Sequence, residues 1–483
     1  MSDATLVAGI DSSTQSTKVV LCRADDGLVV AELSVPHPEG TECHPRHWLA
    51  AIHPVRELLQ RAAAVSVAAQ QHGMVVLDAA GEVIRPALLW NDTRSAPQAE
   101  KLTQELGGPA TWAARAGSVP VASFTVTKLR WLAEHEPESA SKVAAVMLPH
   151  DWLTWQLGGR GERTTDRGDA SGTGYWSPAA GAYLPEMLAA AIGREVALPR
   201  VAGPNEIVGR TEWGAVLGPG TGDNMGAALG LGLEPGDVAV SIGTSGTAFA
   251  VSDVPAADPS GLVAGFADAT GRFLPLVCTL NAARILSSAA RLLRCSLEEL
   301  STLALAAQPG AGGLTLLPYL DGERTPNRPG ADGVLRGLTT ANATPENLAR
   351  AAVEALLASL ADAVDHLAHQ GVQPRRVLLI GGGARAEAVR RIAPQIFGVE
   401  VTVPEPEEYV ALGAARQAAW ALAKTPHPPA WTKTPARTYD AAPEPHVRRR
   451  YAALRDGTAS WGAPEAGEER DKRETNENRG GER

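Results

Sequence analysis

Residues 218–230, GPGTGDNMGAALG, hold one acid, Asp223, in a bed of glycines directly before what reads as a small-residue helix. Glycine lets another molecule approach the main chain closely. The acid is therefore either presented to a ligand, the bare backbone leaving room on both sides, or it caps the helix, satisfying free N–H groups and the positive end of the dipole. Two other stretches could hold phosphate. GIDSSTQSTK (9–18) and SIGTSGTAF (241–249) each run from a strand into a tight turn of glycine, serine and threonine and back into a strand. Successive backbone N–H groups in such a turn make an anion-binding concavity, with hydroxyls as extra donors. Asp11 at the first turn could orient magnesium through its water shell, since Mg²⁺ keeps several waters and takes one or two carboxylates with phosphate oxygens. Lys18 on the returning strand is either added positive charge or a solvated side chain. In LLIGGGAR (378–385) a third glycine turn follows a buried strand, and bare backbone there could take a flat base. It matches neither G-x-G-x-x-G nor G-x-x-x-x-G-K-[ST], so a nucleotide would be held in another way.

These turns need a frame. Apolar runs predict strands at 5–11 and 18–22, at 65–69, 74–78 and 87–90, and again at 236–243, 247–252, 376–380 and 399–404. Helical spacing appears over 95–106, 124–135, 150–157, 281–294, 345–369 and 411–423. Strands interleaved with helices indicate α/β layers, and the same hairpin occurring twice indicates two similar halves. We expect domains over 1–235 and 236–456, a ligand cleft between them, and a disordered charged tail over 457–483, where apolar residues almost vanish.

Bulk properties narrow the function. A chain of 483 residues has room for two or three domains. It has no apolar run near the roughly 18 residues of a membrane span, and its start lacks a basic region followed by an apolar stretch. No membrane partner and no export are expected. The four cysteines, Cys22, Cys43, Cys278 and Cys295, are scattered without C-x-x-C spacing, which suggests neither zinc nor a disulfide framework and fits the cytoplasm. A net charge of −10 argues against a nucleic-acid partner. A small molecule is the expected ligand.

In order along the sequence, GIDSSTQSTK, QQHGMVVLD, RPALLWNDTR, GTGDNMGAALG, SIGTSGTAF, LPYLDGERTPN, LIGGGAR and ALGAARQAAW together resemble the FGGY carbohydrate kinases, most closely the xylulokinase branch, over about residues 5–455. The resemblance implies two ribonuclease H-like domains, as in actin-like ATPases and sugar kinases, around a central cleft where ATP and sugar meet. It implies ATP-dependent phosphorylation of a ketopentose, D-xylulose, with Mg²⁺, and a homodimer. By the same resemblance Asp223 is the catalytic base, Asn224 its neighbour near the sugar, and Gln71, His72, Trp90, Asn91 and Asp92 the sugar side. Asp11 and Thr14 match the first phosphate motif, Gly243, Thr244 and Ser245 the second, and Gly382, Gly383 and Ala384 the adenosine motif. Residues 322–326, beginning at Gly322, match a segment that faces the nucleotide. Read from the residues alone, Trp90 is either core or a platform for sugar C–H faces, and Asn91 and Asp92 either contacts or an ordinary turn. The sequence departs from the branch at Gln71-His72, where many members read Met-His, and in TECHPRHW (41–48), where Trp48 stands alone.

Overall fold

The computed structural model describes residues 4–431 and 435–461. Strands β1 (Leu6–Ser12), β2 (Ser16–Arg23), β3 (Val29–Pro36), β4 (Ala64–Ala69), β5 (Gly209–Arg210), β6 (Val216–Leu217) and β7 (Thr221–Gly222) form one sheet. β1, β2 and β3 are an antiparallel meander, β1 runs parallel to β4, and β4 parallel to β6 and β7. A second sheet contains β8 (Asp237–Ile242), β9 (Gly246–Ala250), β10 (Ala264–Ala267), β11 (Phe273–Thr279), β12 (Arg376–Ile380), β13 (Glu400–Pro404) and β14 (Ala436–Tyr439), in the order β10-β11-β9-β8-β12-β13-β14. There β8, β9 and β11 form the meander, with β12 and β13 parallel beyond β8. The hairpins β1–β2 and β8–β9 thus occupy the same place in two sheets of like topology.

The strands expected at 74–78 and 87–90 form, but outside the main sheets. Val75–Leu77 pairs with Ala145–Met147, and Ala87–Leu88 with Glu42–Cys43. A short run buried on both faces has no period to say which sheet it joins. The helical spacings appear as α1 (Ala96–Glu105), α2 (Thr125–His135), α3 (Pro149–Leu157), α6 (Ala283–Leu293), α7 (Pro345–His369) and α8 (Tyr409–Ala423), with the short α4 (Arg167–Ser171) and the helix that follows the glycine bed, α5 (Asp223–Leu231), between α3 and α6. Of the expected tail, residues 458–461 follow a helix ending at Gly457, and everything from 462 on lies outside the described residues.

α8 comes late in the sequence, in the half expected to start at 236, yet it packs on β1, β4 and α5 of the first sheet. The contact runs backbone to backbone. A Cβ added to Gly413 would lie 1.8 Å from the carbonyl oxygen of Gly226, one on Gly230 would lie 2.1 Å from that of Tyr409, and one on Gly9 would lie 1.8 Å from that of Ala411. An apolar core is shared across this contact, with Val7 and Ala64 of the first sheet, Ala239 and Phe249 of the second, and Met225, Leu412 and Ala415 from the two helices. Each sheet has a separate core on its other face.

Because backbone, not a flexible side chain, meets any added Cβ at this crossing, Gly413→Ala should destabilise by the upper part of the about 1–3 kcal/mol typical of overpacking. Denaturant midpoints measure it, and a change within about 0.5 kcal/mol, usual for an uninvolved surface site, would contradict the packing.

Candidate active site

Two cavities of about 550 and 510 Å³ lie side by side. Asp223, Asn224, Ser241 and Thr247 line both, so these four residues form the shared wall. The first cavity is lined further by Asp11, Ser13, Lys18, Gly381, Gly382 and Ala384. The second takes Gln71, His72, Trp90, Ser123, Phe124 and Arg324 among its walls.

Asp223 is the first residue of α5, and Gly222 stands at the cap with no side-chain capping bond. The carboxylate instead accepts from the backbone N–H and side-chain amide of Asn224, at 2.8 and 2.9 Å. Among the described residues no Lys or Arg forms an ion pair with it. It is half-buried in the wall between the cavities, and burial followed by the neighbouring charge of Asp11 pushes its pKa up to about 7. Asp11, at the end of β1, is raised to about 6 by burial, against the Ser13 hydroxyl that donates to it at 2.6 Å and the charge of Lys18. Lys18 lies opposite Asp11 on β2 and pairs at 2.6 Å with Glu408, just before α8.

The glycines before Asp223 face protein, contrary to the expectation that they clear space for ligands. A Cβ on Gly220, at φ +84°, would lie 2.2 Å from the His150 ring, and one on Gly222 would lie 2.9 Å from Asp169 and Gln71. The backbone is threaded past a buried cluster, and side chains would block it.

That cluster carries no motif in the sequence. His150 on α3 contacts Asp169 of α4 through Nδ1, and its Nε2 lies 3.2 Å from Asp151 and 4.0 Å from Asp166. Burial opposes charge on His150, but Asp151, Asp169 and Asp166 outweigh it and push its pKa up to about 10. The imidazolium thus supplies the cation these acids need. Asp166 accepts from Thr221 on β7 at 2.9 Å, which ties the cluster to the strand leading into Asp223.

On the second cavity, Gln71 donates to the Gly168 carbonyl at 3.0 Å. His72 donates from Nδ1 to the Gly172 carbonyl at 2.6 Å, which leaves Nε2 an acceptor. Burial, then the charge of Lys128, lowers its pKa to about 3, so the ring is neutral. Trp90 is 41% exposed and its indole donates to Thr14 at 2.8 Å. Asn91 and Asp92 line neither cavity. Asp92 is buried and accepts from Thr41 and Arg94, both at 2.8 Å, and Asn91 reaches the Gly40 carbonyl at 3.4 Å; the turn reading fits this geometry. Gly243, Thr244 and Ser245 form the β8–β9 turn, flanked by the wall residues Ser241 and Thr247, and line neither cavity themselves. Gly383 packs on Ile242. Gly322 itself lines neither cavity. Gly322 packs against the backbone of Pro329, and Arg324, Thr325 and Asn327 line the second cavity, with His72, not the one with Gly382 and Ala384. The buried Glu323, which takes the N–H groups of Leu280 and Asn281, ties this loop to a segment distant in sequence.

The model of the FGGY family of carbohydrate kinases matches in both parts, the N-terminal domain over residues 6–230 and the C-terminal domain over 238–422. The xylulose kinase of Streptomyces coelicolor is 50% identical over 434 residues, which is 86% of this chain and 88% of that one. The xylulose kinase of Escherichia coli is 35% identical over 435 residues, 85% and 89% of the two chains. The crystal structure of xylulose kinase from Bifidobacterium adolescentis superposes with a TM-score of 0.89 at 45% identity, covering 94% of this chain and 99% of that one.

A raised carboxyl pKa means the folded state holds the proton more tightly than the unfolded state, whose value is near 3.8. The resulting destabilisation is absent below about pH 4 and grows as pH rises through about 7. Asp223→Asn should therefore melt higher than the parent protein at about pH 8 and equally at about pH 4. Equal melting at the higher pH would contradict this electrostatic picture.

Proposed function

The chain belongs to the FGGY family of carbohydrate kinases, ATP-dependent enzymes with this two-domain α/β fold, and we propose that it transfers the γ-phosphoryl group of ATP to the terminal hydroxyl of acyclic D-xylulose. The observation that carries this reading is Asp223 in the wall shared by two cavities. ATP occupies the cavity of Gly381, Gly382 and Ala384, and the sugar that of Gln71, His72 and Trp90. Their reacting ends meet at Asp223.

Phosphoryl transfer asks the protein for positioning, charge neutralisation and a group to receive the hydroxyl proton. As the sugar oxygen bonds to the γ-phosphorus and the bond to the bridging oxygen of ADP breaks, Asp223 takes that proton. A carboxylate with a pKa of about 7 is a far better acceptor than an ordinary one. Asn224, donating twice to the carboxylate, holds its orientation. Neutral His72 accepts a sugar hydroxyl at Nε2, and Trp90 offers its exposed face to sugar C–H groups. Thr14, Thr244 and Ser245 add hydroxyl donors when the halves close on the phosphates, which also excludes water.

Asp11 has the donor chemistry for hydrated magnesium: a buried carboxylate, at the start of a phosphate-type turn, beside a second acid that has no cation. Asp11 would hold Mg²⁺, which when bound would supply charge neutralisation for the ATP phosphates. The reading includes a cytoplasmic enzyme, with its four cysteines unpaired, and the homodimer implied by the family. No helix among the described residues is long and apolar enough to cross a membrane.

ADP release is measured with ATP, Mg²⁺ and a panel of D-xylulose, D- and L-ribulose, L-fuculose, D-arabitol and glycerol. D-Xylulose should be preferred, kcat/KM should rise with pH through about 7, and Asp223→Ala should lose roughly 10²–10⁴ in rate. A preference for another sugar would move the substrate to the hydroxyl pattern that Gln71 accepts. Undiminished turnover in the variant would overturn the base.

A further inference from the structure

We propose that Lys128 is a positioning residue for the sugar, its buried ammonium clamping the backbone of His72 to that of Ser123 and so fixing the sugar-side wall. The inference rests on the kinase reading above.

Lys128 lies in the first turns of α2 and is fully buried. Lysine is almost never buried without a partner, and a cation near a helix N-terminus opposes the dipole. Among the described residues Lys128 makes no ion pair. It donates instead to two carbonyl oxygens, that of His72 at 3.0 Å and that of Ser123 at 2.7 Å. Burial lowers its pKa to about 7, with Asp92 pulling the other way. Both residues that accept from it line the second cavity.

What the clamp holds is a strained residue. His72 has φ +68°, a left-handed conformation that costs a non-glycine residue about 1–3 kcal/mol and persists only where the surroundings over-determine it. Three groups at the start of α2 do so. The Phe124 ring lies 4.8 Å from the His72 ring, the Thr125 hydroxyl donates to the His72 carbonyl at 3.2 Å, and Lys128 donates to that same carbonyl. Without the ammonium the His72 and Ser123 carbonyls lose the donor that bridges them, and the 70–74 segment is held to the 119–124 segment by ring packing on Phe124 alone. Gln71 and His72 come from the first of these, and Val119, Val121 and Ser123 from the second. The first cavity takes no lining residue from either segment. The effect of Lys128 should therefore fall on the sugar and spare ATP.

The test is steady-state kinetics of K128M and K128Q, varying D-xylulose and ATP separately. K128M should raise the KM for the sugar about tenfold or more, K128Q by less, and the KM for ATP should stay within about twofold in both. A sugar KM within about twofold of wild type in a folded variant overturns the proposal, as does an equal rise in both KM values. Should K128M fail to fold, K128Q decides; failure of both to fold also overturns it, because the clamp then serves the fold at large. Wild type that ignores D-xylulose refutes the substrate reading and not this one, which is then read with the panel sugar that wild type accepts.

Discussion

The contact of α5 with α8 sets the geometry of everything around it. At this crossing the backbones touch where Gly226 meets Gly413, and α8 lies equally close on β1 at Gly9. A contact between backbones has no rotamers through which to relax, so the start of α5 is held at a fixed place relative to both sheets. Asp223 is that start. The same helices join the two sheets in one core, and the acid therefore stands at the junction of the halves. The glycine-rich run has a structural cause in each direction: Gly226 and Gly230 admit α8, while Gly220 and Gly222 pass the His150 cluster.

Electrostatics follows from that placement. Asp11 and Asp223 come from different strand ends of one sheet, and burial raises both pKa values, with the charge of Asp11 adding to the rise at Asp223. The nearby cations are engaged elsewhere: Lys18 pairs with Glu408 and the imidazolium of His150 serves Asp169, Asp151 and Asp166. Acids whose pKa values are raised in this way weaken the fold at neutral pH. They also leave a proton acceptor tuned near neutrality, and a site that welcomes a cation and the donors of a bound substrate. On the proposed reading, stability is given up where the phosphoryl transfer would occur.

Much of this was legible in the sequence because its signals are local. The two hairpins, the buried strand before Gly381 and the helix opened by Asp223 each lie within about ten residues of sequence, and hydrophobic period with turn chemistry reports on that scale. The order of eight motifs then pointed to the family. Contacts between distant segments were hidden. Nothing local says that Asp92 takes the Thr41 hydroxyl, that Arg324 and Asn327 face the cavity of His72, or that Lys128 reaches back 56 residues to a carbonyl oxygen. The clamp leaves no mark on its acceptors, because a backbone oxygen has the same name in every residue. The reason for the glycines was misread for a related cause: a missing side chain says that something comes close, and not what.

The central claim is that sugar and nucleotide fill separate cavities and meet at Asp223. A crystal structure of the protein with D-xylulose and a non-hydrolysable ATP analogue tests it directly. The account predicts the terminal sugar hydroxyl within about 2.6–3.2 Å of the Asp223 carboxylate, with the γ-phosphate entering from the cavity of Gly381 and Gly382. A sugar bound with that hydroxyl turned away from Asp223, or both ligands in one cavity, would contradict it.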